Sequence, residues 1–184
     1  MKYTVLFRGI NVGGKNVVKM VDLRQLLLGL GLNKVQTYIQ SGNAVFETHL
    51  DEARLRALID NGFMERFGFK CAAMIRREDE IKNLIDQLPI SGAEIAAAEA
   101  ADAHVEHLYI YFLDFPPEQS QLDAICKGYT GPDILRAGER ELYFLCHRSI
   151  RQSKLAIHTA KVFHSATVRN WNTVQKLYGM LTAL

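Results

Sequence analysis

The sequence has no Cys-x-x-Cys pair, no long apolar run and, after residue 141, no acidic residue. Each absence excludes something. The three cysteines, Cys71, Cys126 and Cys146, are odd in number and far apart, which argues against a disulfide framework or a thiolate metal site. No stretch approaches the roughly 18 apolar residues that a membrane span needs. Met1-Lys2-Tyr3 leads directly into a strand-like pattern with no apolar leader, so a cytoplasmic protein with no membrane partner is expected. Paired carboxylates in a cleft motif are missing, and with them specific support for acid/base hydrolysis. His104-x2-His107 lacks a third ligand nearby, so no metal site is expected. Cys146 and His147 are neighbours in a strand-like segment and point to opposite faces, which rules against a direct nucleophile-base pair. No Ser-His-Asp order can be picked out, and no cofactor is expected.

What is present is a segregated charge. Residues 1 to 50 carry six Lys/Arg against two acids, and residues 142 to 184 carry six Lys/Arg and no acid. Residues 78 to 141 carry fourteen acids against four bases, so a net charge of +2 conceals a middle near −10 between ends that sum to +10. Such polarity suits an anionic partner, or a second copy docking end against middle.

The apolar periodicities give the element order. Tyr3 to Arg8 alternates as a strand, and Leu23, Leu26, Leu27 and Leu30 fall at helical spacing. Val35 to Gln40 and Ala44 to Thr48 read as strands joined by the tight-turn signal Ser41-Gly42-Asn43. Asp51 can cap a helix that buries Leu55, Leu58, Ile59 and Phe63. Phe69 to Ile75 is the next strand, followed by a helix from Glu78 that Pro89 stops. Residues 90 to 104 read as a linker with at most a turn of helix. Then come a strand over 108 to 113, a helix entered at Pro116-Pro117, a hairpin of 134 to 137 with 142 to 147, a helix capped by Ser153, a strand over 166 to 169, and a last helix capped by Asn170 or Asn172.

The order β-α-β-β-α-β thus occurs twice. Arg76, Ile81, Leu84 and Leu88 correspond to Arg169, Val174, Leu177 and Leu181 at one offset of 93 residues. The expected fold class is α+β: two ferredoxin-like units in tandem, each an antiparallel sheet with helices on one face and one extra helix. Residues 1–90 would form the first unit, 91–104 a linker and 105–184 the second. A doubly wound parallel sheet fits less well, because the turns at Ser41-Gly42-Asn43 and Gly138-Glu139-Arg140 force antiparallel neighbours.

The most unusual stretch is Arg8-Gly9-Ile10-Asn11-Val12-Gly13-Gly14-Lys15-Asn16. Gly9-x4-Gly14-Lys15 after a strand has the spacing of a phosphate-cradling P-loop. Three features tell against one: Asn16 stands where a Ser/Thr would hold Mg²⁺, the β-branched Val17-Val18 follow where a helix should begin, and the sheet is antiparallel. These residues, with Met20, with Thr37-Tyr38-Ile39-Gln40-Ser41-Gly42-Asn43-Ala44-Val45-Phe46, with Ser153-Lys154-Leu155 and with Ala166-Thr167-Val168-Arg169-Asn170-Trp171-Asn172-Thr173-Val174, resemble the signature blocks of the bacterial family catalogued as domain of unknown function 1697. The resemblance spans essentially the whole chain. It implies no chemistry, since that family is named for having no assigned function. Two departures from the family pattern are Lys19, where a proline is common, and Leu88-Pro89, in place of an Asn-Pro pair.

The candidate ligand-binding residues form three groups. Arg8, Asn11, Gly13, Gly14 and Lys15 make a basic turn whose glycines either supply special dihedrals or bring N–H groups close to an anion. Gln40, Ser41 and Asn43 offer more hydrogen-bonding side chains than a turn requires. The first loop and this hairpin are expected at opposite ends of the sheet, so that either they mark two sites or one of them contacts the other repeat. Ser153, Lys154, Arg169, Asn170, Trp171 and Asn172 open helices in the basic C-terminal segment, where a phosphate or carboxylate could sit and Trp171 could stack, or where the asparagines simply cap and the tryptophan fills the core. The leading expectation is a binding protein for an anionic ligand, a nucleotide or nucleic acid. An enzyme acting on a phosphorylated small molecule, with Arg8, Asn11, Lys15 and Arg169 stabilising charge, and a self-associating homodimeric module without a small ligand are the alternatives.

Overall fold

The computed structural model describes residues 1–184. Its first strand, β1 (Lys2–Phe7), is followed by α1 (Met20–Gly29), β2 (Asn33–Tyr38), β3 (Asn43–Glu47), α2 (Glu52–Phe67) and β4 (Ala73–Arg77). These strands form one antiparallel sheet in the order β2-β3-β1-β4. Tyr3, Val5 and Phe7 alternate toward the helices and pack with Leu23, Leu27, Leu55, Ile59 and Phe63. Phe7 and Phe63 stack with ring centroids 5.3 Å apart. Asp51 caps α2 as expected, its Oδ1 accepting from the Arg54 amide at 2.9 Å, and Gly68 ends the helix at φ 76°, the left-handed conformation that glycine adopts without a Cβ penalty.

α3 (Glu78–Asp86) follows β4 without a gap. Its opening run Glu78-Asp79-Glu80 complements the positive end of the helix dipole. Residues 92–101 then differ from the sequence reading, forming a ten-residue helix, α4 (Gly92–Ala101), rather than a linker. A full capping box starts it: the Ser91 hydroxyl accepts from the Glu94 amide, and the Glu94 carboxylate accepts from the Ser91 amide. Such reciprocal bonding satisfies two of the donors that a helix start leaves open.

The second half contains β5 (Leu108–Phe112), α5 (Gln119–Cys126), β6 (Ile134–Ala137), β7 (Glu141–Leu145), α6 (Lys154–Val162), β8 (Thr167–Asn170) and α7 (Trp171–Thr182). Its sheet runs β6-β7-β5-β8, the same order as the first. Tyr111, Leu142 and Phe144 of the sheet pack with Leu122 and Ile125 of α5 and with Leu155, Ala156 and Phe163 at α6. The chain is thus α+β, with two similar four-stranded antiparallel sheets and seven α-helices. The 93-residue offset holds in the structure, for α3 begins at 78 and α7 at 171. Two compact units result: Met1–Asn83 with Gln175–Leu184, and Leu84–Val174. Within the first unit the Lys34 ammonium donates to the carbonyl of Leu184. Within the second the Tyr143 hydroxyl donates to the carbonyl of Leu84 at 2.8 Å.

Candidate functional site

The glycine-rich stretch folds as a miniature hairpin. The Lys15 amide donates to the Val12 carbonyl at 3.1 Å and the Asn11 amide to the Asn16 carbonyl at 3.1 Å. Between them Gly13 and Gly14 have φ of 58° and 74°, and positive φ at both central residues is what a type I′ turn requires. Two of the amides that a phosphate cradle would present are therefore taken up by the loop's own carbonyls. Asn11 braces the base of the loop: its Nδ2 donates to the carbonyls of Val18 (2.9 Å) and Gln40 (2.8 Å), and its Oδ1 accepts from the Val18 amide (2.8 Å). The Asn16 Nδ2 donates to the Gly9 carbonyl at 3.2 Å. Arg8, Lys15 and Lys19 remain exposed with no acidic partner.

The expectation that this loop and the β2–β3 turn lie at opposite ends of the sheet is corrected. β1 runs antiparallel to β3, so the end of β1 meets the start of β3: Leu6 is opposite Asn43, and the Phe7 amide donates to the Gly42 carbonyl at 2.8 Å. Arg8, Asn11, Gly13, Gly14 and Lys15 therefore share one end of the first unit with Gln40, Ser41 and Asn43. Asn43 is buried, with its Nδ2 on the Tyr38 carbonyl and the Ser41 hydroxyl, so its amide holds the turn. Gly42 has φ 78°, and a Cβ there would lie 2.5 Å from Cδ1 of Ile10.

Ser153 and Lys154 belong to the second unit and border a cavity of about 600 Å³. Its walls are the turn from Lys127 to Asp133, the His147-Arg148-Ser149 segment after β7, and the start of α6. Asp133 organises it. One carboxylate oxygen accepts from the His147 amide at 2.9 Å and the other from the Ser153 hydroxyl at 2.6 Å, while Ser153 Oγ accepts from the Ala156 amide at 3.1 Å. Ser153 is thus the cap of α6 and the anchor of the wall. Lys127, Arg148, Lys154 and His158 stand exposed around the rim without an ion-pair partner. The ring of His147 lies against Asp133, with Nδ1 3.8 Å from Oδ1, and that nitrogen is buried without a hydrogen bond. Burial raises the Tyr129 phenol above its ordinary value, so it faces the cavity neutral. The sequence reading missed Lys127, Asp133, His147, Arg148 and His158. The available signal was the turn-forming Gly128-Tyr129-Thr130-Gly131-Pro132-Asp133 set beside a basic run.

Arg169 to Asn172 lie elsewhere in the second unit. Asn170 caps α7, its Oδ1 accepting from the Thr173 amide at 3.0 Å. Asn172 Nδ2 donates to both carboxylate oxygens of Glu106 at 3.0 and 3.1 Å. The half-buried Trp171 lines a second cavity, of about 590 Å³, together with Glu99 and Glu106. His107 has both ring nitrogens against carbonyl oxygens, those of Cys146 at 2.6 Å and Asp102 at 2.8 Å. Burial pushes the Cys146 thiol up to about 12, so it carries no thiolate at neutral pH.

Comparisons with known proteins agree with this architecture. A family model described as "Protein of unknown function (DUF1697)" matches residues 1–143. Among solved structures, one described as a conserved bacterial protein from Streptococcus pneumoniae is similar with a TM-score of 0.75, at 26% identity over 98% of each chain. No curated protein matches the sequence.

Proposed function

The chain belongs to the DUF1697 family of proteins of unknown function, and we propose that it binds a small anionic ligand, of nucleotide size and phosphorylated, in the cleft of its second unit. One observation carries this reading. Lys127, Arg148 and Lys154 surround a single cavity whose one acid, Asp133, already bonds to the Ser153 hydroxyl and the His147 amide. Unopposed cations facing a concave site attract an anion, and the first-turn amides of α6 add to the same field. The volume of about 600 Å³ lies within the range of small-ligand sites.

The C-terminal basic segment contributes through Ser153 and Lys154, with Ser153 in a positioning role. The glycine hairpin belongs to the first unit and offers an anion no cradle of free amides, since the Asn11 and Lys15 amides are taken up by its own carbonyls. Around Trp171 the carboxylates of Glu99 and Glu106 oppose an anion. A nucleophilic role for Ser153 is disfavoured, since its hydroxyl is held between Asp133 and the α6 amide; binding is therefore favoured over catalysis.

Calorimetric titration with pyrophosphate and with nucleoside diphosphates tests the proposal. Saturable binding that weakens with added salt and falls at least tenfold in Lys154→Glu is expected. Failure of every such anion to bind at low salt, or wild-type affinity in both Lys154→Glu and Arg148→Glu, would overturn it.

A further inference from the structure

The two units present their equivalent sheet ends with opposite charge. In the first unit this end is the glycine hairpin and the β2–β3 turn, joined where the Phe7 amide meets the Gly42 carbonyl at 2.8 Å. In the second it is the segment after β5 and the β6–β7 turn, joined where the Leu113 amide meets the Arg140 carbonyl at 2.9 Å. The first tip carries Arg8, Lys15 and Lys19, and no acid occurs before Asp22. The second carries Asp114, Glu118 and Glu139 against Arg140, with Glu141 buried beneath it and accepting from the Glu139 and Arg140 amides.

Both tips also leave large apolar side chains in water. Val12, Val17 and Ile39 are 66%, 67% and 48% exposed on the first, and Phe115 is 79% exposed on the second. Ile39 stands out further, because it holds φ 47°, a left-handed conformation that a β-branched residue adopts only when its surroundings impose it. The carbonyl of its neighbour Gln40 is held by Asn11 at 2.8 Å, so the strained residue stays presented outward. Rigid, exposed apolar groups ringed by charge mark surfaces for a protein partner. Single-stranded nucleic acid would want aromatic rings to stack on, and a membrane surface would want Trp, Phe or Leu anchors. The exposed apolar side chains of the basic tip are valines and an isoleucine, with Tyr38 beside them only partly exposed.

We infer that the partner is a second copy of this chain, the basic tip of one copy docking on the acidic, Phe115-bearing tip of another. Such a contact is heterologous, since two different surfaces meet. Arg8, Lys15 and Lys19 on one tip and Glu118 and Glu139 on the other are exposed, so salt weakens it.

Sedimentation velocity across a concentration series at low and high salt tests this. The wild-type protein should gain mass with concentration at low salt and lose that gain at high salt. The double variants Arg8→Glu/Lys15→Glu and Glu118→Lys/Glu139→Lys should each be monomeric, yet an equimolar mixture of the two should associate, because each acidic tip then meets a basic one. A wild type that stays monomeric at several hundred micromolar and low salt would overturn the inference. Association that survives either double variant, or a mixture that fails to associate while both variants keep native melting curves, would overturn it too. Should Glu118→Lys disturb the start of α5, Phe115→Ser and Val17→Asp report on the same contact through its apolar part, and each should reduce association at least tenfold. An acidic protein or a nucleic acid as the true occupant would show as binding to the basic tip with no self-association, which also overturns the inference.

Discussion

Arg76 and Arg169, 93 residues apart, make the same bond in their respective sheets: each donates from Nη1 to the carbonyl of the residue before it, Ile75 at 2.9 Å and Val168 at 2.8 Å. Arg76 is opposite Thr4 on β1 and Arg169 opposite Ile110 on β5, each one position beyond the tyrosine, Tyr3 or Tyr109, that faces the next strand residue. Their surroundings differ. Arg76 is 1% exposed, whereas Arg169 is partly open to solvent.

That difference sets the first prediction. Truncating the buried guanidinium leaves both a cavity and unsatisfied polar groups, so Arg76→Ala should cost about 3 kcal/mol, against about 1 kcal/mol for Arg169→Ala. Arg76→Lys should recover little, because an ammonium cannot reproduce the planar fork. Urea denaturation of the three variants measures this, and equal, small losses at the two positions would show that Arg76 is not a structural requirement of the first sheet.

The base of the glycine hairpin provides the second prediction. At Gly42 a Cβ would sit 2.5 Å from Cδ1 and 2.8 Å from Cγ1 of Ile10 while φ stays at 78°. Gly42→Ala should therefore destabilise the protein by about 2–4 kcal/mol through overpacking and left-handed strain together. Ile10→Val removes the closest atom, so Gly42→Ala/Ile10→Val should recover part of the loss, by a coupling of about 1 kcal/mol in a double-mutant cycle. Strict additivity would mean that the contact is relieved elsewhere and that the two segments do not hold one another.

Much of this could be read in the sequence because it rests on local chemistry. Asp51, Ser153 and Asn170 cap helices, and the turn at Ser41-Gly42-Asn43 joins antiparallel strands, each fixed by residues within a few positions of one another. The ten-residue α4 escaped because its alanines give no apolar stripe; Ala98 is its one buried residue, and the only signal was the Ser91-x-x-Glu94 box. The relation of the glycine hairpin to the β2–β3 turn depended on β1 pairing antiparallel with β3, a long-range fact. The cavity was hidden for the same reason. Lys127, Arg148 and Lys154 come from three segments, of which only Ser153-Lys154-Leu155 stood out in the sequence, and Asp133 binding both His147 and Ser153 brings them together.

The third prediction follows from Glu94, which joins α4 to β6. Its carboxylate meets the Arg136 guanidinium through two bonds, 2.7 Å and 3.0 Å. The Arg136 hydrogen bond, followed by those from Ser91, holds it at about 2, well below its ordinary value of 4.5. A folded-state value below the unfolded one adds stability that is fully present above about 4.5 and is lost as pH falls toward about 2. The Glu94 side chain keeps 29% exposure, so solvent screens the pair and the loss should be modest. Melting temperatures between pH 2 and pH 7 should therefore show wild type above Glu94→Gln at neutral pH, with the gap closing between pH 4.5 and pH 2. Hydrogen exchange should localise the acid effect, with the amides of residues 92–101 losing protection before those of β5 and β7. A gap that stays constant over the whole range would show that the pair holds α4 by shape and hydrogen bonding alone, without a proton-linked part.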